Sequence, residues 1–207
     1  MKSVVAAFLL ASAAALALGE ELAPDALIRR VSQEVLEAMR TDPGLRSGDE
    51  AKVLPIIEAK ILPHFDFARA TQIAMGPAWR RAAPEQREAL TREFSTLLAR
   101  TYSAALANLR DREVVVSPLR ASPSDTEVTV RSQVRQPGAQ PVGVEYEMER
   151  TETGWKVFDV RIEGISLMGT FRTAFADEVR NHGVDGLIRT LSDKNRRGDL
   201  KPVSRAG

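Results

Sequence analysis

The chain has 207 residues, 43% hydrophobic and 28% charged, a composition that supports one globular domain and argues against a disordered chain. Its 29 basic and 28 acidic residues nearly cancel, which argues against a nucleic-acid partner, since that would call for a basic surface. The absence of cysteine excludes a disulfide scaffold and a lipobox-type lipid anchor, so stability must come from the core.

The first residues read as an export signal. Lys2 gives a short positive region, Val4 to Leu18 are apolar but for Ser12, and Ala17-Leu18-Gly19 offers small residues to a signal peptidase, with Ala15-Leu16-Ala17 as a competing frame. The run is shorter than the about 20 residues a membrane span needs. Residues 1–19 are therefore expected to be a signal peptide, and the mature protein to be periplasmic.

Pro24 and Asp25 open a helix in which Leu27, Val31, Val35 and Met39 recur at a spacing of four, a core-facing stripe. Thr41 to Asp49, with Pro43, Gly44 and Gly48, reads as a loop. The apolar segment Val53 to Leu62 contains Pro55, which must begin its helix or kink it. Asp66 is placed to cap a short helix, Phe67 to Met75, that Gly76 ends. Pro84 starts the longest element, to about Arg110, with Leu90, Phe94, Leu97, Leu98, Thr101, Ala105 and Leu109 along one face. At 1.5 Å per residue it is about 40 Å long, enough to wall one side of a domain.

The pattern then changes to period two. Val114 to Val116 is a short strand; Val128, Val130 and Val134 alternate with polar residues; and Val142, Val144, Tyr146 and Met148 alternate with Gly143, Glu145, Glu147 and Glu149. Gln136-Pro137-Gly138 and Thr153-Gly154 are turns, so these strands form an antiparallel meander with one apolar and one wet face. Trp155 to Ile162 completes the sheet. Its adjacent Val157 and Phe158 require either a bulge or cover on both faces. Helices follow from Leu167 to His182 and from Val184 to Lys194, separated by Gly183, and the polar, basic residues 195–207 read as a disordered tail.

Catalytic chemistry is scarce. His64 and His182 have no second histidine or carboxylate at metal-ligand spacing, and His182 is placed to interact with the C-terminal end of its own helix. Gly164-Ile165-Ser166-Leu167-Met168-Gly169 has the spacing G-x-S-x-x-G rather than that of a hydrolase nucleophile elbow, and Ser166 is better read as a helix N-cap. The Glu145, Glu147, Glu149 row lies on the wet face. Arg80, Arg161 and Arg172 read as salt-bridged or solvated charges in preference to phosphate contacts. Asp159, Glu163 and His64 remain as the polar groups an enzyme with a hydrophobic substrate would have to use.

Several motifs, in this order, closely resemble the MlaC or toluene-tolerance family of periplasmic phospholipid-binding proteins. They are Leu62-Pro63-His64-Phe65-Asp66-Phe67, Gly76-Pro77-Ala78-Trp79-Arg80, Pro84-Glu85-Gln86-Arg87 leading to Phe94, and Thr101-Tyr102. Most specific is Gly154-Trp155-Lys156-Val157 through Asp159-Val160, Glu163-Gly164-Ile165-Ser166-Leu167 and Phe171-Arg172. The resemblance spans about Ala23 to Lys194. Ala83 departs from the family's usual Ser or Thr, weakening the cap of the long helix, and Phe171 stands where Tyr is common, which removes a hydroxyl contact.

The resemblance implies an α+β fold: a twisted antiparallel sheet of about four strands flanked by helices around an apolar cavity, like the nuclear-transport-factor-two cone with extra N-terminal helices. Residues 20–194 would form a single, monomeric phospholipid-binding domain. Phospholipid would be its cargo, with no cofactor, and its partners an outer-membrane lipoprotein complex and an inner-membrane ABC transporter complex. The expected cavity lining is Val128, Val130, Val144, Tyr146 and Met148 on the sheet, closed by Phe94, Leu98, Tyr102, Phe171 and Phe175 on the helices. The competing readings are an enzyme acting on a hydrophobic substrate in the same cavity and an adaptor of an ABC transporter with a filled core.

Overall fold

The computed structural model describes residues 22–42, 45, 50–107 and 112–198; the expected signal peptide, most of the 41–49 loop and the tail beyond Gly198 lie outside them. Helix α1 spans Pro24–Thr41 and α2 spans Glu50–Lys60. A 3-10 turn, Leu62–His64, leads into α3, Phe67–Met75; a second, Gly76–Arg81, leads into α4, Pro84–Ala107. Five strands follow: β1 (Glu113–Val116), β2 (Glu127–Arg135), β3 (Val142–Thr151), β4 (Gly154–Ile162) and the two-residue β5 (Ile165–Ser166). Helix α5, Leu167–Arg197, ends the described chain. The sheet is antiparallel throughout, in the order β1-β2-β3-β4-β5, so the fold is α+β with one strand more than expected.

Local chemistry sets the boundaries. Asp66 caps α3 by accepting from the Arg69 amide at 2.8 Å, and Gly76, at φ 56°, ends it. Ser166 caps α5 by accepting from the Gly169 amide at 2.8 Å, as its position predicts. Gly183 sits inside α5 at φ 72° and breaks it into two helical runs. The second run continues to Arg197. Asn195, expected to open the tail, is buried and donates to the Glu93 carbonyl at 2.9 Å. Pro55 neither begins nor ends α2: it lies mid-helix, exposed, while Val53 and Ile57 face inward. Before α4, the Ala83 amide donates to the Gln86 side chain at 3.0 Å. That is half of a capping box, and alanine cannot supply the other half.

The apolar interior divides into three clusters. Leu27, Ile28 and the half-buried Val31 of α1 pack on one face of the sheet, against Val116, Val130, Met148, Trp155 and Val157. Val35 and Met39, at the other end of α1, meet Leu45, Val53 and Ile57. The third cluster joins α3, α4 and α5. At its centre the fully buried rings of Phe94, Phe171 and Phe175 lie 4.9, 5.1 and 5.7 Å apart, two of the three pairs edge to face.

The opposite face of the sheet is a ladder of charge pairs. Arg131 meets Glu145 at 3.0 Å, Thr129 donates to Glu147 at 3.1 Å, and Arg69 of α3 bridges Glu127 at 2.7 Å and Glu149 at 2.5 Å. Between Glu147 and Met148 the register with β4 shifts, leaving Phe158 as the extra residue of a bulge. The Arg69 guanidinium lies 3.7 Å from the centre of its ring. Both alternatives posed by the adjacent Val157 and Phe158 are therefore realised: a bulge, and cover on the second side. Phe65 bridges Val157, and the Asp66 amide donates to the Val157 carbonyl at 2.8 Å, closing that stretch of the β4 edge.

Two stability predictions follow from this packing. Phe171→Ala removes a ring with no exposed surface and is expected to cost about 3–5 kcal/mol in urea denaturation at pH 7. His64, beside the β4 edge, has its pKa lowered from 6.5, first by burial and then by Arg30 and Lys156. The folded state thus binds fewer protons than the unfolded chain as pH falls below about 6.5, so stability drops with acidification there. His64→Gln should flatten that part of the stability–pH curve, and an unchanged slope between about pH 7 and 5 would refute the assignment.

Candidate functional site

Strand register lays the apolar face of the sheet out in rows. Val128 pairs with Met148 and Met148 with Val157; Val130 pairs with Tyr146 and Tyr146 with Val160; Ser132 pairs with Val144 and Val144 with Ile162. Helix α1 covers this face chiefly over β1 and β2. Toward β4 the cover thins: Val160 is half-buried, Ile162 is 37% exposed, and Ile165, its partner on β5, is 63% exposed. Tyr146 keeps part of its surface accessible, yet burial pushes its phenol above the ordinary value, against a smaller opposing effect of its hydrogen bond with Ser132.

The ten expected lining residues divide between two clusters. Val128, Val130, Tyr146 and Met148 belong to the sheet cluster, with Val144 buried on the same face. Phe94, Leu98, Phe171 and Phe175, with the half-buried Tyr102, belong to the helical cluster, because α4 packs on α2, α3 and α5 and not on the sheet. Burial separates them further. Val130, Met148, Phe94, Phe171 and Phe175 have no exposed surface, whereas Val128, Tyr146 and Tyr102 retain some. Burial also raises the Tyr102 phenol.

The polar candidates have structural roles. The Asp159 carboxylate, buried beneath the start of α5, accepts from the Ser166 hydroxyl and from the Met168 amide at 3.2 Å. Glu163, at φ 49° in the turn between β4 and β5, accepts from the Gly143 amide at the start of β3. No carboxylate bonds the His64 ring among the described residues, and His182 meets Glu178 at 3.0 Å, four residues earlier in its own helix. Among the described residues no group of three or more His, Cys, Asp or Glu is placed to hold a metal ion, and no helix is long and apolar enough to cross a membrane.

A concavity lies at the junction of α3, the Gly76–Arg81 turn and the start of α5. It is an open groove of about 410 Å³ lined by Ile73, Pro77 and Trp79 with Gln72 and three arginines, Arg69, Arg80 and Arg172. Arg161 pairs with Glu147 at 3.8 Å as expected. Arg80 and Arg172 take the solvated alternative: neither makes an ion pair or side-chain hydrogen bond among the described residues, and both are exposed. The turn signal Gly76-Pro77 was legible in the sequence, but nothing local linked it to Arg172, almost 100 residues away.

Comparison with known proteins places the chain. The family model described as "MlaC protein" matches residues 29–193. A toluene tolerance protein, ttg2D, of Pseudomonas putida is 29% identical over 106 residues, which are 51% of this chain and 49% of the relative, so the chain spans about half the length of that curated relative. A phospholipid-binding protein from Ralstonia solanacearum, solved in complex with a phospholipid, is 41% identical and superposes with a TM-score of 0.77 over 84% of this chain and 98% of its own. With most of its length matched by the family model and its fold shared with that lipid-bound protein, the chain belongs to the MlaC family.

Proposed function

We propose that the chain is a periplasmic phospholipid carrier whose acyl-chain site lies on the partly covered apolar face of the sheet, around Val128, Val144, Tyr146 and Val160. The observation that carries this reading is the likeness, at 41% identity and over most of both chains, to a protein holding a phospholipid. The thinning of apolar cover toward the C-terminal end of β4, where Tyr146 and Val160 are half-buried and Ile162 is exposed, supports the location. Phe94, Phe171 and Phe175, in close contact with one another, serve as the scaffold beside the site rather than as its wall.

Physical chemistry states what such a carrier must do. A diacyl lipid crossing water exposes some 30 methylenes at about 0.8 kcal/mol each, an upper bound near 25 kcal/mol. A carrier offsets this with apolar surface nearly as dry as the bilayer, which brings transfer at each end close to isoenergetic. In this reading the chain shuttles lipid between an outer-membrane lipoprotein complex and an inner-membrane ABC transporter complex, and so maintains the lipid asymmetry of the outer membrane. The structural employment of Asp159 and Glu163 favours carriage over catalysis.

Native mass spectrometry of protein purified from periplasm without detergent should find one phospholipid per chain. A bare protein that also takes no lipid from vesicles would overturn the proposal. Val144→Arg puts a charge at the partly covered end of the face and should abolish lipid retention while the circular dichroism spectrum stays native. Val130 is unsuited to that test, since a charge at a position with no exposed surface would unfold the protein. Normal lipid occupancy in folded Val144→Arg would refute the lining.

A further inference from the structure

The groove at the Gly76–Arg81 turn lies on the other side of the sheet from the apolar face, because Arg69, on its wall, pairs with Glu127 and Glu149 of the charged face. Its charge is unbalanced. Those two carboxylates neutralise Arg69, no carboxylate lines the groove, and Arg80 and Arg172 carry no counter-charge among the described residues. Arginines such as Arg29, Arg131, Arg161 and Arg180 are paired with a carboxylate, and exposed ones without such a pair, such as Arg120 and Arg189, stand outside the groove; Arg80 and Arg172 converge on it.

The position of Arg172 is built into the backbone. Its side chain lies against Gly76, where an added Cβ would stand 3.0 Å from the guanidinium Nε. Gly76 also adopts φ 56°, a conformation in which a side chain is strained. One glycine thus ends α3 and leaves the recess that brings a cation from α5 beside the turn bearing Arg80. Trp79 and Ile73, both half-buried, supply an apolar floor next to the two charges.

From this we infer that the groove is an anion site for a phosphate ester: Arg80 and Arg172 hold the phosphate oxygens, while Trp79 and Ile73 contact the organic part. Planar guanidinium forks suit phosphate oxygens in bidentate fashion, which a solvated lysine does not match. A volume of about 410 Å³ falls in the range of small-ligand sites, roughly 300–1,000 Å³. The phosphate can come from a lipid head group presented at a bilayer or from a soluble phosphomonoester. The site stands apart from the acyl-chain site and holds whether or not that assignment does.

The test is calorimetric titration of the purified chain with sn-glycerol 3-phosphate, alongside co-sedimentation with phosphatidylcholine vesicles containing or lacking phosphatidylglycerol. Saturable binding is expected, weakening as salt rises. Arg80→Gln and Arg172→Gln should each weaken it about tenfold or more, as loss of a charge-assisted contact does. Arg135→Gln, at an exposed position on β2, should leave it unchanged. Binding to glycerol 3-phosphate alone assigns a soluble ester; arginine-dependent binding to the phosphatidylglycerol vesicles assigns a lipid head group. No saturable binding to either probe, or unaltered binding in the Arg80→Gln/Arg172→Gln double variant, would overturn the proposal.

Discussion

The contact of Phe94 with Phe171 and Phe175 is the constraint on which the rest of the molecule depends. It fixes α5 against α4 one turn after α5 leaves the sheet, so the direction in which the chain departs from β4 is set by ring packing. The departure is fixed at its other end by Asp159, a β4 residue whose carboxylate accepts from Ser166 and Met168 at the first turn of α5. An acidic group at a helix N-terminus also suits the positive end of the helix dipole. Strand and helix are thereby joined by polar bonds on one side and aromatic packing on the other. The helical layer has no freedom to slide across the charged face of the sheet.

The helices α3, α4 and α5 bury most of their apolar surface against one another and meet the sheet chiefly through polar contacts. Helix α4 buries its stripe against α3 and α5, and α1 alone serves the apolar face. One helix cannot cover five strands, so that face is sealed over β1 and β2 and thins toward β4. A protein under selection for stability alone would extend the cover across Val160 and Ile162, since apolar area removed from water stabilises by about 25 cal/mol per Å². Leaving them partly open is what a binding surface requires.

Much of this was legible because local rules and the final structure agree. Ser166 and Asp66 cap helices where their side chains and the following apolar periodicity place them, and the alternation from Val142 to Glu149 sorts the two faces of β3. The bulge at Phe158 was foreshadowed by two adjacent apolar residues that no regular strand could bury on one face. Other features are tertiary. The run past Lys194 reads as polar tail, yet Asn195 is held by Glu93 from 102 residues away. Period analysis identified which residues of α4 point inward but not what they meet, so Phe94 and Tyr146 were expected on one cavity and belong to different clusters. The groove escaped notice for the same reason, since Gly76, Arg80 and Arg172 are brought together only by the packing of α5 on α3.

The arrangement has a consequence for selectivity. On the apolar face the polar side chains are few: Tyr146 and Ser132 satisfy each other, and the Ser132 hydroxyl also reaches the Val144 carbonyl at 3.4 Å. A surface with no free donor gains little from one head group over another, because methylene burial discriminates by only about 1–3 kcal/mol per group and reads chain length rather than charge. Charge discrimination, if the molecule has any, must reside where unbalanced charge resides. Among the described residues Arg80 and Arg172 are two arginines without a carboxylate partner that converge on one groove, on the far side of the sheet from the apolar face. On the proposed assignments, separating the two would let the apolar face accept any diacyl lipid while a phosphate is recognised by residues that contribute nothing to the core. Neither property then constrains the other.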